Sequence, residues 1–443
     1  MLKNVGGENV SKSKWLLVAI LVVSTALILG CAQQQQPTTP APSGEGKVET
    51  LYFGAPISLS GKFAEEGKAS LEGMKIAAKW INENGGIKVG DVTYKIEIKA
   101  YDDESKKENV QSLIERLATV DKVKFILAPY SSGLTLAAAP IAEKYQVLLN
   151  SHGGASDYIF EQGYYYVVQT LSPASRYQTG FLDMVKAKDP NAKRLALVYE
   201  DGEFSRAVHE AAREYAKQLG FEIVYEKTYP AGATDLSPIL NELKAANPDV
   251  LIGGGHFADG QLLAKQLAEL KIDLKAISIL VAPTFTSFYE ALGNKAEGIA
   301  GPAQWEVGVK YSPEAAEKLG IEWYGPTQEE FLSAYKEAMG EEPPYQAAEA
   351  AAAVLSYAKA IEKAQSLDPA KVREAMNDLE FMSIYGVWKI DPETGKQIGH
   401  EMVIIQWQNG EKKIVWPESA ANAEPCYPMP TWDEKEGGAT CGS

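Results

Sequence analysis

Residues 125–157 read FILAPYSSGLTLAAAPIAEKYQVLLNSHGGASD, and the order of their parts decides the fold. An apolar run, Phe125 to Ala128, passes through Pro129-Tyr130-Ser131-Ser132-Gly133 into an alanine-rich helical segment. A second apolar stretch, QVLLN at 146–150, passes through His152-Gly153-Gly154-Ala155-Ser156-Asp157. Short apolar runs bounded by turn residues suit strands buried on both faces, as in parallel sheets. Strand, helix and strand in this order make a βαβ unit. Ligands of open parallel sheets sit beyond the carboxyl ends of the strands, which is where both junctions fall. A helix starting there offers unpaired N–H groups and a partial positive charge. Two readings of Ser131-Ser132-Gly133 follow: a hydroxyl that only caps the helix, or an anion site. The second junction, with its glycines, can converge on the same ligand group, and a carboxylate is the natural candidate. Pro140 should kink the intervening helix.

The alternation continues on both sides. TLYFGAPISL (50–59) reads as a strand, and Leu71, Met74, Ala78 and Ile81 mark one face of a helix that Asn84-Gly85-Gly86 stops. TYKIEIKAYDD (93–103) is a strand and KENVQSLIERLAT (107–119) a helix. After Tyr164 the pattern restarts, with strands expected in RLALVYE, FEIVYEKTY, DVLIGGG and KAISIL, each separated from the next by an amphipathic segment. Two parallel sheets with helices on both faces are implied. Residues 313–380 are mostly helical in pattern, and EMVIIQWQNGEKKIVW closes the chain as a hairpin turning at Asn409-Gly410.

The chain has 443 residues, enough for two or three domains, and a formal net charge of −16, which argues against nucleic acid as a partner. Lys12 and Lys14 precede an apolar run, Trp15 to Leu29, too short for a membrane span and built like a secretion signal. Leu29-Gly30-Cys31 resembles the lipobox of secreted lipoproteins, which implies a signal at 1–30 and a lipid on Cys31. The Gln-, Pro- and Thr-rich stretch up to residue 47 reads as an unfolded tether (31–47). This places the remainder outside the cytoplasm, anchored to the outer face of the cell membrane. Two further cysteines, Cys426 and Cys441, stand in a Pro- and Gly-rich tail; outside the cytoplasm they are expected to close a disulfide, the alternative being two free thiols.

From about Glu49 to Pro417 the chain resembles the type I periplasmic solute-binding proteins of ABC transporters, in the branched-chain amino acid-binding (Leu/Ile/Val-binding) family. The resemblance is carried by FGAPISLSG, by GMKIAAKWINENGGI followed by IEIKAYDDES, by PYSSGLTLAAAPIAEKY followed by GGAS, by LALVYEDGEFSRAV and by NPDVLIGGGHFADGQLLAKQ. It implies an α/β fold of two doubly wound parallel-sheet lobes joined by a three-strand hinge. The lobes would comprise residues 48–172 with 303–384 and 173–302 with 385–418, leaving 419–443 as a tail. The implied function is capture of an amino acid, or a related small carboxylate or amide, for a permease and ATPase, by closure of the hinge. Carried over by position, Ser132 binds the ligand carboxylate with Ser131 beside it. Gly153 offers a carbonyl to an ammonium, and Ala155 an N–H to the carboxylate within the Gly153-Gly154-Ala155-Ser156 loop. The family's hydroxyl is displaced here to Ser156. Phe204 replaces a usual tyrosine lid, Gly255 with His256 replaces another aromatic, and Thr284 stands where an acid often pairs with the ammonium. Glu200, Asp201, Glu203 or Asp259 are the candidates to substitute for it.

The four histidines show no metal-ligand spacing, so no metal or cofactor is expected; His209 reads as a solvated helix-face residue and His256 as a cleft candidate. The chain has no phosphate loop, no Gly-x-Ser-x-Gly elbow and no His-Glu-x-x-His, so an enzyme is not expected. The competing class is a sensor ectodomain of the same fold that signals through a membrane partner.

Overall fold

The computed structural model describes residues 47–442. The expected signal, Cys31 and all but the last residue of the tether lie outside the described residues. No described helix is long and apolar enough to cross a membrane.

The first sheet contains β1 (Lys47–Ile57), β2 (Ile87–Val89), β3 (Val92–Asp102), β4 (Phe125–Leu127), β5 (Leu148–Ser151) and β6 (Val167–Gln169), in the order β2-β3-β1-β4-β5-β6. All its pairings are parallel except that of β2, which runs antiparallel along β3. Every residue of β4 and β5 is buried; Phe125 to Leu127, Leu148 and Leu149 are apolar, and the Asn150 amide donates to the Ala353 carbonyl and Ser356 Oγ. The second sheet is built from β7 (Arg194–Glu200), β8 (Glu222–Tyr229), β9 (Val250–Gly253), β10 (Ala276–Ile279) and β11 (Ile299–Ala303). Strands β12 (Glu322–Trp323), β13 (Phe381–Ser383) and β14 (Gly386–Trp388) form a small separate sheet. The hairpin β15 (Val403–Gln408) and β16 (Glu411–Trp416) then completes the second sheet, in the order β16-β15-β11-β10-β9-β7-β8. Asn409 and Gly410 turn it with φ of 54° and 78°, the pair of positive values that a two-residue hairpin needs.

In each sheet the chain begins at an inner strand and builds outward on both sides. β1 lies between β3 and β4, and β7 lies between β8 and β9. The segments leaving the paired inner strands at their carboxyl ends diverge, which opens a crevice in each sheet.

Three segments cross between the lobes, and one residue, Gln304, ties them together through its side chain and its backbone carbonyl. The Gln304 Oε1 accepts from the Ser172 N–H (3.0 Å) and the Tyr385 hydroxyl (2.9 Å), and its Nε2 donates to the Ser172 carbonyl (3.1 Å). His400 Nε2 donates to the Gln304 carbonyl (2.8 Å), and Ser172 Oγ donates to the His400 carbonyl (3.1 Å). Ser172, Gln304 and His400 belong to the first, second and third crossings.

The helix Tyr345–Ala364 is buried on nearly every side, and alanine is what permits it. It lies so close to the helix Ala64–Glu83 that a Cβ on Gly73 would stand 1.9 Å from the Ala347 carbonyl oxygen.

Two sequence expectations change. Gly386–Trp388, assigned to the second lobe, pairs with Phe381–Ser383 in the small sheet, so the third crossing falls between Trp388 and Val403 rather than near 384. His209 is buried, not solvated: its ring stacks on Tyr199 at 4.2 Å, its Nδ1 donates to the Ser205 carbonyl, and burial lowers its pKa to about 4. The tail 419–443 is docked on the second lobe. Trp432 Nε1 donates to the Ile272 carbonyl, Gln406 bonds both backbone groups of Cys426, and Cys426 and Cys441 form the expected disulfide.

Replacing Gln304 by Leu would strand the Ser172 N–H, the Ser172 carbonyl and the Tyr385 hydroxyl in a buried place. We expect a loss of about 3 to 5 kcal/mol in denaturant unfolding, from three orphaned polar groups. An unchanged midpoint would show that water or a neighbour satisfies them.

Candidate functional site

The two crevices face each other. From the first lobe come the segment after β1, with Lys62, Phe63 and Glu66, and the junction after β4, with Tyr130 and Ser131. From the second come the segment after β7, Glu200 to Phe204, and the segment after β9, ending at His256. A cavity of about 250 Å³ lies between them, lined by Lys62, Phe63, Ser131, Glu200, Phe204 and His256 among others.

The segment after β1 is held by a carboxylate. The Asp102 Oδ1 accepts from the Leu59 and Ser60 N–H groups, and Oδ2 from the Ser60 hydroxyl, so the loop's free donors are satisfied. This fixes Lys62 and Phe63 at the cavity. Lys62 Nζ reaches Glu200 Oε1 at 3.4 Å, across the cleft. His256 Nδ1 donates to Glu200 Oε2 at 3.1 Å. Burial pushes the Glu200 carboxyl up, but His256 and Lys62 more than offset it and hold it down at about 2.

Other contacts also bridge the cleft. Glu66, fully buried, accepts the Phe257 N–H at 3.0 Å, and the Ser156 hydroxyl donates to Glu203 Oε1 at 3.0 Å. Rings interlock along the seam: Phe63 meets Tyr130 at 5.7 Å and His256 at 4.6 Å, and Phe204 meets His256 at 5.4 Å and Tyr177 at 5.1 Å. The lobes are closed on each other.

Among the residues expected from sequence, Ser131, Phe204 and His256 line the cavity. Ser132 is turned inward. Its Oγ accepts from the Ala155 N–H (3.0 Å) and the Ser156 N–H (3.1 Å), so the two junctions brace each other and the Ala155 N–H points at protein. Gly154 N–H donates to Ser151 Oγ in the same loop. Gly153 answers a steric demand, since a Cβ there would lie 2.5 Å from the Tyr130 ring. Thr284 is fully buried, and its hydroxyl donates to the Val281 carbonyl. None of the four acids proposed to replace it is free: Glu200 is paired as above, Asp201 with Arg206, Glu203 with Ser156, and Asp259 with the Tyr229 hydroxyl and the His256 N–H. Glu200, His256 and Asp259 also bring potential metal-ligating atoms within 4.8 Å of one another. Each carboxylate oxygen of that set already has a protein partner, so the arrangement works as a hydrogen-bonded network.

Two carboxyl groups escaped the sequence reading. Glu66 Oε2 has no hydrogen-bond partner among the described residues, and neither has either oxygen of Glu349, on the helix Tyr345–Ala364. Burial raises both acids, Glu349 strongly; for Glu66 the His256 charge works against the rise. A signal for Glu349 existed: it is the lone charge in YQAAEAAAAVL. Glu66 had none, because nothing in the sequence says that β1 and β4 are neighbours.

A family model described as periplasmic binding protein matches residues 50–412. A Leu/Ile/Val-binding protein homolog 7 of Brucella abortus (strain 2308) is 27% identical over 423 residues, which span 90% of this chain and 98% of the relative. Among solved structures, the branched-chain amino acid transporter substrate-binding protein LivJ of Streptococcus pneumoniae, in complex with isoleucine, is similar with a TM-score of 0.71 and 24% identity, covering 83% of this chain and 100% of that one. A solute-binding protein of an ABC transporter from Rhodopseudomonas palustris BisB5, in complex with 3,4-dihydroxybenzoic acid, gives a TM-score of 0.68 and 24% identity, covering 82% and 95%.

Gly153→Ala should displace the Tyr130 ring and with it the seam. We expect a loss of about 1 to 3 kcal/mol in unfolding, the usual cost of overpacking. A variant of unchanged stability would mean that Tyr130 has room to move.

Proposed function

Because the chain belongs to the periplasmic binding protein family, we propose that it is the extracytoplasmic solute-binding component of an ATP-driven importer. It takes an amino acid, or a related small carboxylate or amide, into the cleft between its lobes and presents it to a permease without chemical turnover. The observation that carries this reading is the pairing of the family match over both lobes with a cleft whose opposing walls already bond to each other. A solute that bonds to both walls favours the closed state over the open one, and only such differential binding moves a hinge. The 250 Å³ cavity suits a small solute, and its polar lining offers a few directional groups against aromatic walls. The amino-terminal sequence supports lipidation of Cys31 and tethering to the outer face of the membrane.

In this reading Ser131 and Ser132 have different tasks. Ser131 faces the ligand, whereas Ser132 holds the Gly153–Ser156 loop in place.

The first test is a thermal-shift screen of the chain from Lys47 onward against amino acids, amides and small aromatic and aliphatic acids. A ligand at 100 times its Kd adds about 2.7 kcal/mol of stability. With the hit in hand, Ser131→Ala should weaken binding by about 1 kcal/mol or more and leave the ligand-free melt unchanged, while Ser132→Ala should lower the ligand-free melt itself. The reverse pattern would return the binding role to Ser132. Turnover of any hit would remove the transport reading.

A further inference from the structure

We propose that the C-terminal tail is a redox-set clasp for the second lobe. With Cys426 and Cys441 bridged it stays bound across the amino-terminal ends of the second sheet's strands, and with both thiols reduced it lets go. The second lobe is then completed only in an oxidising compartment, after the chain has left the cytoplasm.

The path of the tail carries the inference. It first covers the outer edge of β16: the Asn422 N–H donates to the Ile414 carbonyl (2.9 Å), and Asn422 Oδ1 accepts the Ile414 N–H (3.0 Å). At Cys426 it is pinned to β15 by Gln406, which accepts the Cys426 N–H at 2.8 Å and donates to its carbonyl at 3.1 Å. It then reaches the segment ahead of β7, where the Tyr427 hydroxyl donates to Asp189 Oδ2 (2.9 Å). It turns back ahead of β10, where the Met429 N–H donates to the Lys275 carbonyl and the Trp432 N–H to Asp273 Oδ1, both at 2.9 Å. At Cys441 it returns to the hairpin. The Cys441 carbonyl accepts from Asn409 Nδ2 (3.2 Å), and its N–H donates to Glu297 Oε2 (3.4 Å), just ahead of β11. Both cysteines are thus fixed beside one hairpin, at Gln406 and at Asn409. The chain between them is a loop thrown over the end of the lobe that faces away from the cleft.

Apart from the bridge, that loop is held weakly. Two of its apolar side chains, Met429 and Trp432, are buried in the core of the lobe. The ion pairs of the tail, Lys271 with Asp433 and Glu436 and Lys188 with Glu424, use exposed acids and contribute little. Lys435 works against docking. It is 2% exposed and forms no ion pair among the described residues; its Nζ donates to the Lys295 carbonyl at 3.4 Å and lies 4.0 Å from the Trp432 ring centre. Burial pulls its pKa down to about 7, against the opposing charges of Glu297 and Asp273. The loop's regular structure is one helix of five residues, Trp432–Glu436, so much ordering entropy stands against few contacts.

The bridge changes this balance. Joining cysteines 15 residues apart removes much of the freedom that the loop would gain on release, on the order of a hundredfold in the docking equilibrium. In forming it, the two thiols pass two electrons and two protons to the disulfide of an exchange partner, which leaves as a dithiol. Reduction reverses the exchange. The tail then uncovers the β16 edge at Ile414 and the apolar surface beneath Met429 and Trp432.

The test is hydrogen exchange, read by mass spectrometry, on the full chain with the bridge intact and after reduction by tris(2-carboxyethyl)phosphine. Reduction should speed exchange in the 426–441 segment by on the order of a hundredfold, and oxidised glutathione should restore protection. Strands β4 and β5 of the first lobe should not change. The Cys426→Ser/Cys441→Ser variant should match the reduced chain with no reductant present. Equal protection of the tail in both states overturns the clasp, because the other contacts then suffice. A rise shared by both lobes also overturns it, because the bridge then holds the whole chain rather than the tail. Either of these results leaves solute capture standing.

Discussion

Everything in the cleft depends on Gln304. It lies on the second of three segments that cross between the lobes, and it bonds to the first crossing at Ser172 and to the third through His400. Three separate chains could hold two sheets at many angles. Tied through the side chain and backbone carbonyl of one buried residue, they hold the crevice of the first sheet opposite the crevice of the second. The fold then does the rest: in each sheet the chain starts at an inner strand, so the segments leaving β1 and β4, and those leaving β7 and β9, diverge toward the same space.

The seam between the lobes is built from contacts of modest individual strength. Lys62 to Glu200, Glu66 to the Phe257 N–H, Ser156 to Glu203 and the packed rings of Phe63, His256 and Phe204 are each worth little on their own where solvent reaches them. Together they hold the closed form, and each would have to be exchanged for solute contacts or loosened when the cleft fills. Beside them, Glu66 Oε2 and both oxygens of Glu349 are buried without a hydrogen-bond partner among the described residues.

Much of the fold was legible in residues 125–157 and in their repetition. The apolar runs FIL and LLN are strands because they are buried on both faces, and the alternation with amphipathic segments is the βαβ rhythm itself. The Asn409-Gly410 hairpin followed from turn chemistry alone. Errors arose where a residue's surroundings come from elsewhere in the chain. His209 looked solvated because its neighbours in sequence are charged, yet its ring faces Tyr199 of the adjacent strand. Gly386–Trp388 has the composition of any strand, and only its pairing with Phe381–Ser383 shows which sheet it joins.

The candidate site divides along the same line. The sequence by itself determined that two Ser- and Gly-rich junctions follow buried strands and that a ligand-binding family shares their order, because hydrophobic periodicity and turn residues are local properties. The tertiary structure decided which serine lines the cavity, Ser131 rather than Ser132, and that two acids the sequence reading passed over, Glu66 and Glu349, are buried with carboxyl oxygens that have no hydrogen-bond partner among the described residues. Those outcomes depend on strand order and on the crossing of distant segments. A side chain's direction and its share of buried charge are set by neighbours hundreds of residues away, and no local pattern encodes them.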